Sequence, residues 1–276
     1  MCTMIFGASG QVGSEIQKII GESIPVFHHK TNNPNYVDFG DFSAIENKIR
    51  EIKPEIIINC AAKADVEGCE LNHREAYEVN ALAVKHIVKA AEKIGAYVIH
   101  ISTDYVFDGS VGNYSESSVP NPINYYGLSK LLGDAFAMSY VNSLVVRTSG
   151  VFGIKNNFPV YAYNTLKDNR KLKVIDSFYS PIHARLLAKA ISSLLEKKPT
   201  GVINVAGDRI SRLGLAEALR DLYGFDRSNI EVVDESTMSW KARRPADSSL
   251  DISKAKALLD FDFHSTETNL KELSQS

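Results

Sequence analysis

The chain has 276 residues, enough for one large domain or two small ones, and its 44% hydrophobic and 23% charged residues are those of an ordinary globular protein. A net charge of -2, with both signs interspersed, excludes the basic excess of a nucleic-acid binder. Cys2, Cys60 and Cys69 lack the spacing of a zinc ribbon or a disulfide scaffold, and no apolar run is long enough to cross a bilayer.

"MCTMIFG" meets a glycine too early for a secretory signal, so the expected protein is soluble and cytoplasmic, with reduced thiols and no membrane partner. In chain order, apolar strands are predicted at "CTMIF" (2–6), "IPVFH" (24–28), "EIIINC" (55–60), "AYVIHIS" (96–102) and "SLVVRT" (143–148). Their near-continuous apolar character is that of strands covered on both faces. Helical patterns fill the gaps at 11–21, 43–52, 72–94 and 124–140. The third is long, with Ala76, Val79, Leu82, Ala83, Ile87 and Ala90 at helical spacing.

Beyond Thr148 the regularity loosens into loop and helix, then "KVIDS", a helix over about 183–196 and a buried strand "GVINVAG" (201–207) that can rejoin the first sheet. A helix at 212–223, a strand near 230–234 and the loop "KARRPADSSLD" complete the chain. The alternation predicts an α/β fold, a Rossmann-like doubly wound parallel sheet with a smaller C-terminal lobe. Residues 1–148 plus about 174–207 are assigned to the dinucleotide-binding domain. Residues 149–173 plus 208–276 are assigned to the substrate-binding lobe.

"IFGASGQVGSEI" places Gly7, Gly10 and Gly13 between the first strand and the first helix, the context of a dinucleotide-binding turn. Gly7 permits the tight turn, Gly10 admits a pyrophosphate, and Gly13 lets the helix pack closely on the strand. The helix end offers free N–H groups to phosphates. Without a ligand, the same glycines would simply form a strand-to-helix turn. After the second strand the sequence reads "FHHK", with no carboxylate before Asp38. An acidic residue there would favour the ribose hydroxyl of NAD, whereas His28, His29 and Lys30 suit the extra phosphate of NADP. NADP is therefore the expected cofactor, with NAD as the alternative.

"NPINYYGLSK" (121–130) sets two phenols ahead of an amine on a predicted helix that Asn124 can cap. Residues four apart share a helical face, so Tyr126, and not Tyr125, belongs beside Lys130. A nearby cation lowers a phenol's pKa from about 10 and suits it to proton exchange with a carbonyl substrate. A Tyr-x-x-x-Lys pair is often incidental on surface helices. Here it is joined by "HISTDYVFDG" (100–109), where Ser102 and Thr103 end a strand at the sheet's carboxyl edge.

The blocks "GASGQVG", "VDFGD", "IIINCAA", "EAYEVNALAV", "STDYVFDG", "YYGLSK", "RTSGVFG", "YSPIHARLLAKAI" and "RRPADSSLD" cover nearly the whole chain. Together they resemble the dTDP-4-dehydrorhamnose reductases, within the extended short-chain dehydrogenase/reductases. The resemblance implies NADPH-dependent reduction of the 4-keto group of dTDP-4-dehydro-L-rhamnose in dTDP-rhamnose biosynthesis. It implies Tyr126 as proton donor, Lys130 at the nicotinamide ribose and Thr103 polarising the ketone. Gly7, Gly10, Gln11 and Val12 would lie at the pyrophosphate, Asp38 and Phe39 near the adenine, and Ala61, Ala62, Lys63 and Ser102 along the cofactor. Tyr105, Asn157 and Arg244 would meet the nucleotide-linked sugar, and a guanidinium at 244 suits a diphosphate.

Gly150 departs from the pattern, since these reductases commonly carry an aromatic residue there beside the sugar. Some members are metal-bridged dimers. Glu15 matches one bridging position but its partners do not, so no metal is expected, and the chain is read as monomer or homodimer. Two alternatives stand beside this reading: an NAD-dependent nucleotide-sugar epimerase or dehydratase, and a non-catalytic NADP-binding regulatory subunit.

Overall fold

The β-branched runs form strands and the amphipathic stretches form helices in a computed structural model that describes residues 2–28, 35–154, 157–237 and 239–275. The chain begins with β1 (Thr3–Phe6), α1 (Gln11–Ile20), β2 (Ile24–Val26), α2 (Phe42–Ile52) and β3 (Ile56–Asn59). Short helices α3 (Val66–Leu71) and α4 (His73–Tyr77) lead through a π-helical turn (Glu78–Leu82) into α5 (Ala83–Ile94) and β4 (Tyr97–Thr103). Then come α6 (Tyr125–Met138), β5 (Ser143–Thr148), α7 (Phe158–Lys167), β6 (Leu172–Val174), β7 (Phe178–Tyr179), α8 (Ala184–Lys197) and β8 (Gly201–Asn204). The rest comprises β9 (Ile210–Ser211), α9 (Arg212–Tyr223), β10 (Ile230–Val232), α10 (Ser253–Leu258) and α11 (Thr266–Lys271).

Six strands form one parallel sheet in the order β2-β1-β3-β4-β5-β8. The expected return of "GVINVAG" to this sheet is met by β8, which pairs with β5. Side chains alternate across the strands, so both faces are buried. Ile5, Ile58, Ile99 and Val146 pack toward Ile16, Leu187 and Ile191. Met4, Phe6, Ile57, Val98 and Val145 pack toward Ile45, Ile49, Ile87 and Ala91. The chain order reverses between β1 and β3, and this opens the crevice at their carboxyl ends.

Two small sheets, β10-β6 and β7-β9, stand apart from the main one. They share a third apolar cluster that includes Phe152, Leu166, Leu172, Tyr179, Leu215 and Leu219. Among the described residues, no helix is long and apolar enough to cross a membrane.

The long helix predicted over 72–94 is interrupted. The π-helical turn adds a residue to the coil and carries Asn80, which is fully buried. Its carboxamide accepts the Lys63 amide at 2.8 Å and donates to the Lys63 carbonyl at 3.1 Å and to Ser129 Oγ at 2.9 Å. Gly133 of α6 allows this approach, because a Cβ there would lie 2.3 Å from the Asn80 carbonyl oxygen.

Candidate active site

The glycine turn has the geometry its residues require. Gly7 takes φ +74°, and a Cβ on it would lie 2.7 Å from the Ala61 amide nitrogen, so the loop after β3 closes directly over the end of β1. A Cβ at Gly13 would lie 2.4 Å from the Gly7 carbonyl oxygen. Gly10 caps α1 with no side-chain hydrogen bond and no acidic residue in the first turn, which leaves the helix end open to an anion.

The turn borders a cavity of about 370 Å³ whose walls include Gly7, Gly10, Phe39, Ala61, Ala62 and Lys63. These expected cofactor residues are brought together at one place. His28 joins the same wall, stacked on Phe39 at 4.7 Å and accepting the Phe39 amide at 3.2 Å. His29 and Lys30 lie outside the described residues. Glu75, which opens the block "EAYEVNALAV" without a role being assigned to it, pairs with Lys63 at 2.8 Å and raises the lysine's pKa.

The remaining expected cofactor residues do not line this cavity. Gln11 donates to the Val151 carbonyl at 2.9 Å, Val12 packs against the core, and Asp38 accepts the Gly40 amide at 2.9 Å. Ser102 is buried against Asp134 of α6.

Thr103 ends β4, where its hydroxyl donates to Asp104 at 3.1 Å and accepts the Tyr105 amide at 3.2 Å. Asp104 is buried, and burial raises its pKa against hydroxyl donors that include Ser149 at 2.7 Å and Ser248. Asn124 caps α6 as expected, accepting the Gly127 amide at 2.8 Å. The half-buried Tyr126 lies beside the Thr103 side chain and meets the Tyr105 ring edge-on, centroids 5.8 Å apart. Tyr125 stacks on His73 at 3.8 Å, a packing role.

Lys130 departs from the sequence expectation. Its buried ammonium donates to the Ile101 carbonyl at 2.7 Å and lies 3.4 Å from His100 Nε2, and burial lowers its pKa to about 8. Tyr126 is accordingly pushed up by burial instead of being lowered by the lysine. Beneath them Arg147 pairs with the fully buried Asp134 at 3.3 Å.

A second cavity of about 180 Å³ adjoins Asp104 and is lined by Tyr105, Asn157, Phe158, Tyr179 and Arg212, among others. Tyr105 and Asn157 were expected there. Asn157 donates to the Val151 carbonyl at 2.6 Å, and its Oδ1 is buried without a partner among the described residues. Arg244 pairs with Glu67 at 2.9 Å. Tyr179 opens the block "YSPIHARLLAKAI" without a role being assigned to it, and Arg212 lies outside every motif. Their elements, β7 and α9, join the site through the antiparallel pairing of β7 with β9. Glu15 pairs with Lys18, and among the described residues no group of three or more His, Cys, Asp or Glu side chains is placed to hold a metal ion.

Comparison with known proteins identifies the family of the chain. The family model described as "RmlD substrate binding domain" matches residues 1–276. A dTDP-4-dehydrorhamnose reductase of Shigella flexneri is 33% identical over 272 residues, 92% of this chain and 90% of that protein. The crystal structure of a hypothetical dTDP-4-dehydrorhamnose reductase from Sulfolobus tokodaii is 46% identical and covers 99% of both chains at a TM-score of 0.92. The Bacillus anthracis reductase, solved in complex with NADP, is 27% identical with a TM-score of 0.90, covering 99% of this chain and 98% of that one. This chain belongs to the RmlD family of dTDP-4-dehydrorhamnose reductase-like oxidoreductases.

Proposed function

We propose that the protein reduces the 4-keto group of a nucleotide-linked 6-deoxy sugar, dTDP-4-dehydro-L-rhamnose to dTDP-L-rhamnose, with NADPH. The observation that carries this reading is the packing of Thr103 and Tyr126 against Asp104 and Tyr105, which line the second cavity, in a chain whose glycine turn borders the cavity of about 370 Å³. NADPH, when bound, supplies the hydride. Gly7, Gly10, Phe39, Ala61, Ala62 and Lys63 would hold it, and Lys130 would take the nicotinamide ribose.

Thr103 would hydrogen-bond the ketone oxygen and draw electron density from the carbonyl carbon. Tyr126 would deliver its proton to the alkoxide that forms there. The raised pKa of Tyr126 keeps the phenol protonated at neutral pH, the state a proton donor requires. Without substrate, Asp104 accepts the single hydroxyl proton of Thr103, so Thr103 would turn it from Asp104 to the ketone oxygen. The Arg244 guanidinium would contact the diphosphate.

The test mixes purified protein with NADPH and freshly prepared dTDP-4-keto-6-deoxy sugar and follows the nicotinamide absorbance. Stoichiometric loss of NADPH supports the reading. Sugar conversion without net oxidation, or NADPH binding without turnover, overturns it. A clear preference for NADH would overturn only the choice of cofactor.

A further inference from the structure

Gly150 takes φ +49°, and a Cβ there would lie 2.7 Å from Cδ2 of Tyr179. The ring of Tyr179, supplied by β7, thus stands where a side chain at position 150 would begin. Tyr179 is only 5% exposed, and among the described residues its hydroxyl has no hydrogen-bond partner. It lines the same cavity as Asn157, whose buried Oδ1 also lacks one. A buried hydroxyl left unpaired costs stability, and a ligand's polar atom entering the cavity would remove that cost.

Arg212 borders the same space. Its guanidinium lies 4.7 Å from the Tyr179 ring centre and 5.0 Å from that of Phe158, and its Nε donates to Ser177 Oγ at 3.0 Å. Among the described residues it forms no ion pair. It also opens α9, where the helix dipole disfavours a cation. Its charge reaches the Tyr105 phenol, as does that of Arg244, whose Nη1 is buried without a hydrogen-bond partner among the described residues. Asp104, the one carboxylate among the described lining residues, is occupied by the hydroxyls of Thr103, Ser149 and Ser248.

We propose that Tyr179 and Arg212 form the sugar-diphosphate subsite of this chain, Arg212 binding a diphosphate oxygen and the Tyr179 hydroxyl bonding a hydroxyl of the sugar. The proposal rests on the nucleotide-sugar reading above. Tyr179 then supplies, from another element, the aromatic wall that Gly150 leaves out.

The test measures dTDP binding to the NADPH-loaded protein by calorimetry, together with steady-state kinetics on the keto sugar. Arg212→Met is expected to weaken dTDP about 10–100-fold, the range of a hydrogen bond to a charged group, with NADPH affinity unchanged. Tyr179→Phe is expected to leave dTDP affinity intact and raise KM for the sugar nucleotide about 3–10-fold. Unchanged dTDP binding in Arg212→Met, or unchanged KM in Tyr179→Phe, overturns the proposal while the proposed function stands. Wild-type protein that binds no dTDP overturns both. If Arg212→Met fails to fold, Arg212→Lys decides, since it keeps the charge and loses the planar fork: dTDP binding weakened about 3-fold or more supports the proposal, and wild-type affinity overturns it.

Discussion

Asn124 joins two distant parts of the candidate site: its Oδ1 accepts the Gly127 amide at 2.8 Å, and its Nδ2 donates to the Arg243 carbonyl at 2.9 Å. One carboxamide thus starts the helix of Tyr126 and pins the loop that carries Arg244. Asn124→Ala is expected to lose about 1 kcal/mol of stability from the cap alone. Asn124→Asp keeps the acceptor and loses the donor, so it should hold its Tm closer to wild type. Both variants should raise KM for the sugar nucleotide. Thermal melts and kinetics on the two variants separate capping from loop anchoring, and an unchanged KM in Asn124→Asp would refute the anchoring.

Tyr126 and Tyr125 are adjacent yet differently engaged, one beside Thr103 and the other stacked on His73. Tyr126→Phe should lower turnover about 10²–10⁴-fold, the range for losing a general acid. Its NADPH affinity should change little, and Tyr125→Phe should be mild in both respects. Greater damage from Tyr125→Phe in the same assay would reverse the assignment.

Burial lowers the Lys130 pKa from 10.5 to about 8. Between those values the unfolded chain holds a proton that the folded chain has released. Wild-type stability therefore gains from this group as pH rises through that window, and the penalty for burying the charge is fully present below about pH 8. Lys130→Met removes the penalty along with the ammonium. The Tm of wild type relative to Lys130→Met should thus rise between pH 7 and about pH 9.5, while NADPH affinity and rate fall in the variant. A pH-independent Tm difference would contradict the buried, depressed lysine.

Gly150→Ala should destabilise by about 2–4 kcal/mol, from the left-handed backbone and the collision with Tyr179 together. In a Tyr179→Ala background the collision is gone, and the same substitution should cost only about 1–2 kcal/mol. Denaturant titration of the four proteins measures this coupling. Additive effects would mean that the two positions do not compete for the same space.

Much of the fold was legible because strands covered on both faces leave continuous apolar runs, as "EIIINC" and "AYVIHIS" do. The glycine turn and the Tyr126 helix were legible for a similar reason, since each is a local pattern whose meaning lies within a few residues. The break at Glu78–Leu82 was not, because hydrophobic spacing continues across it and its cause, the reach of Asn80 to Lys63 and Ser129, is tertiary. The engagement of Lys130 by Ile101 was hidden likewise, since helical spacing identifies neighbours on one helix and says nothing of a carbonyl on the strand beneath. Tyr179 and Arg212 come from a two-residue strand and the first turn of a helix. The local hints were Tyr179 at the head of "YSPIHARLLAKAI", a block that gives it no role, and an arginine where the helix dipole disfavours a cation.

The π-helical turn has a mechanical consequence. Through Asn80, the Lys63 loop beside the first cavity and the helix that carries Tyr126 are tied by three hydrogen bonds, the one to Ser129 buried. Displacing that loop therefore strains the start of the Tyr126 helix as well, so a change on one side is felt on the other.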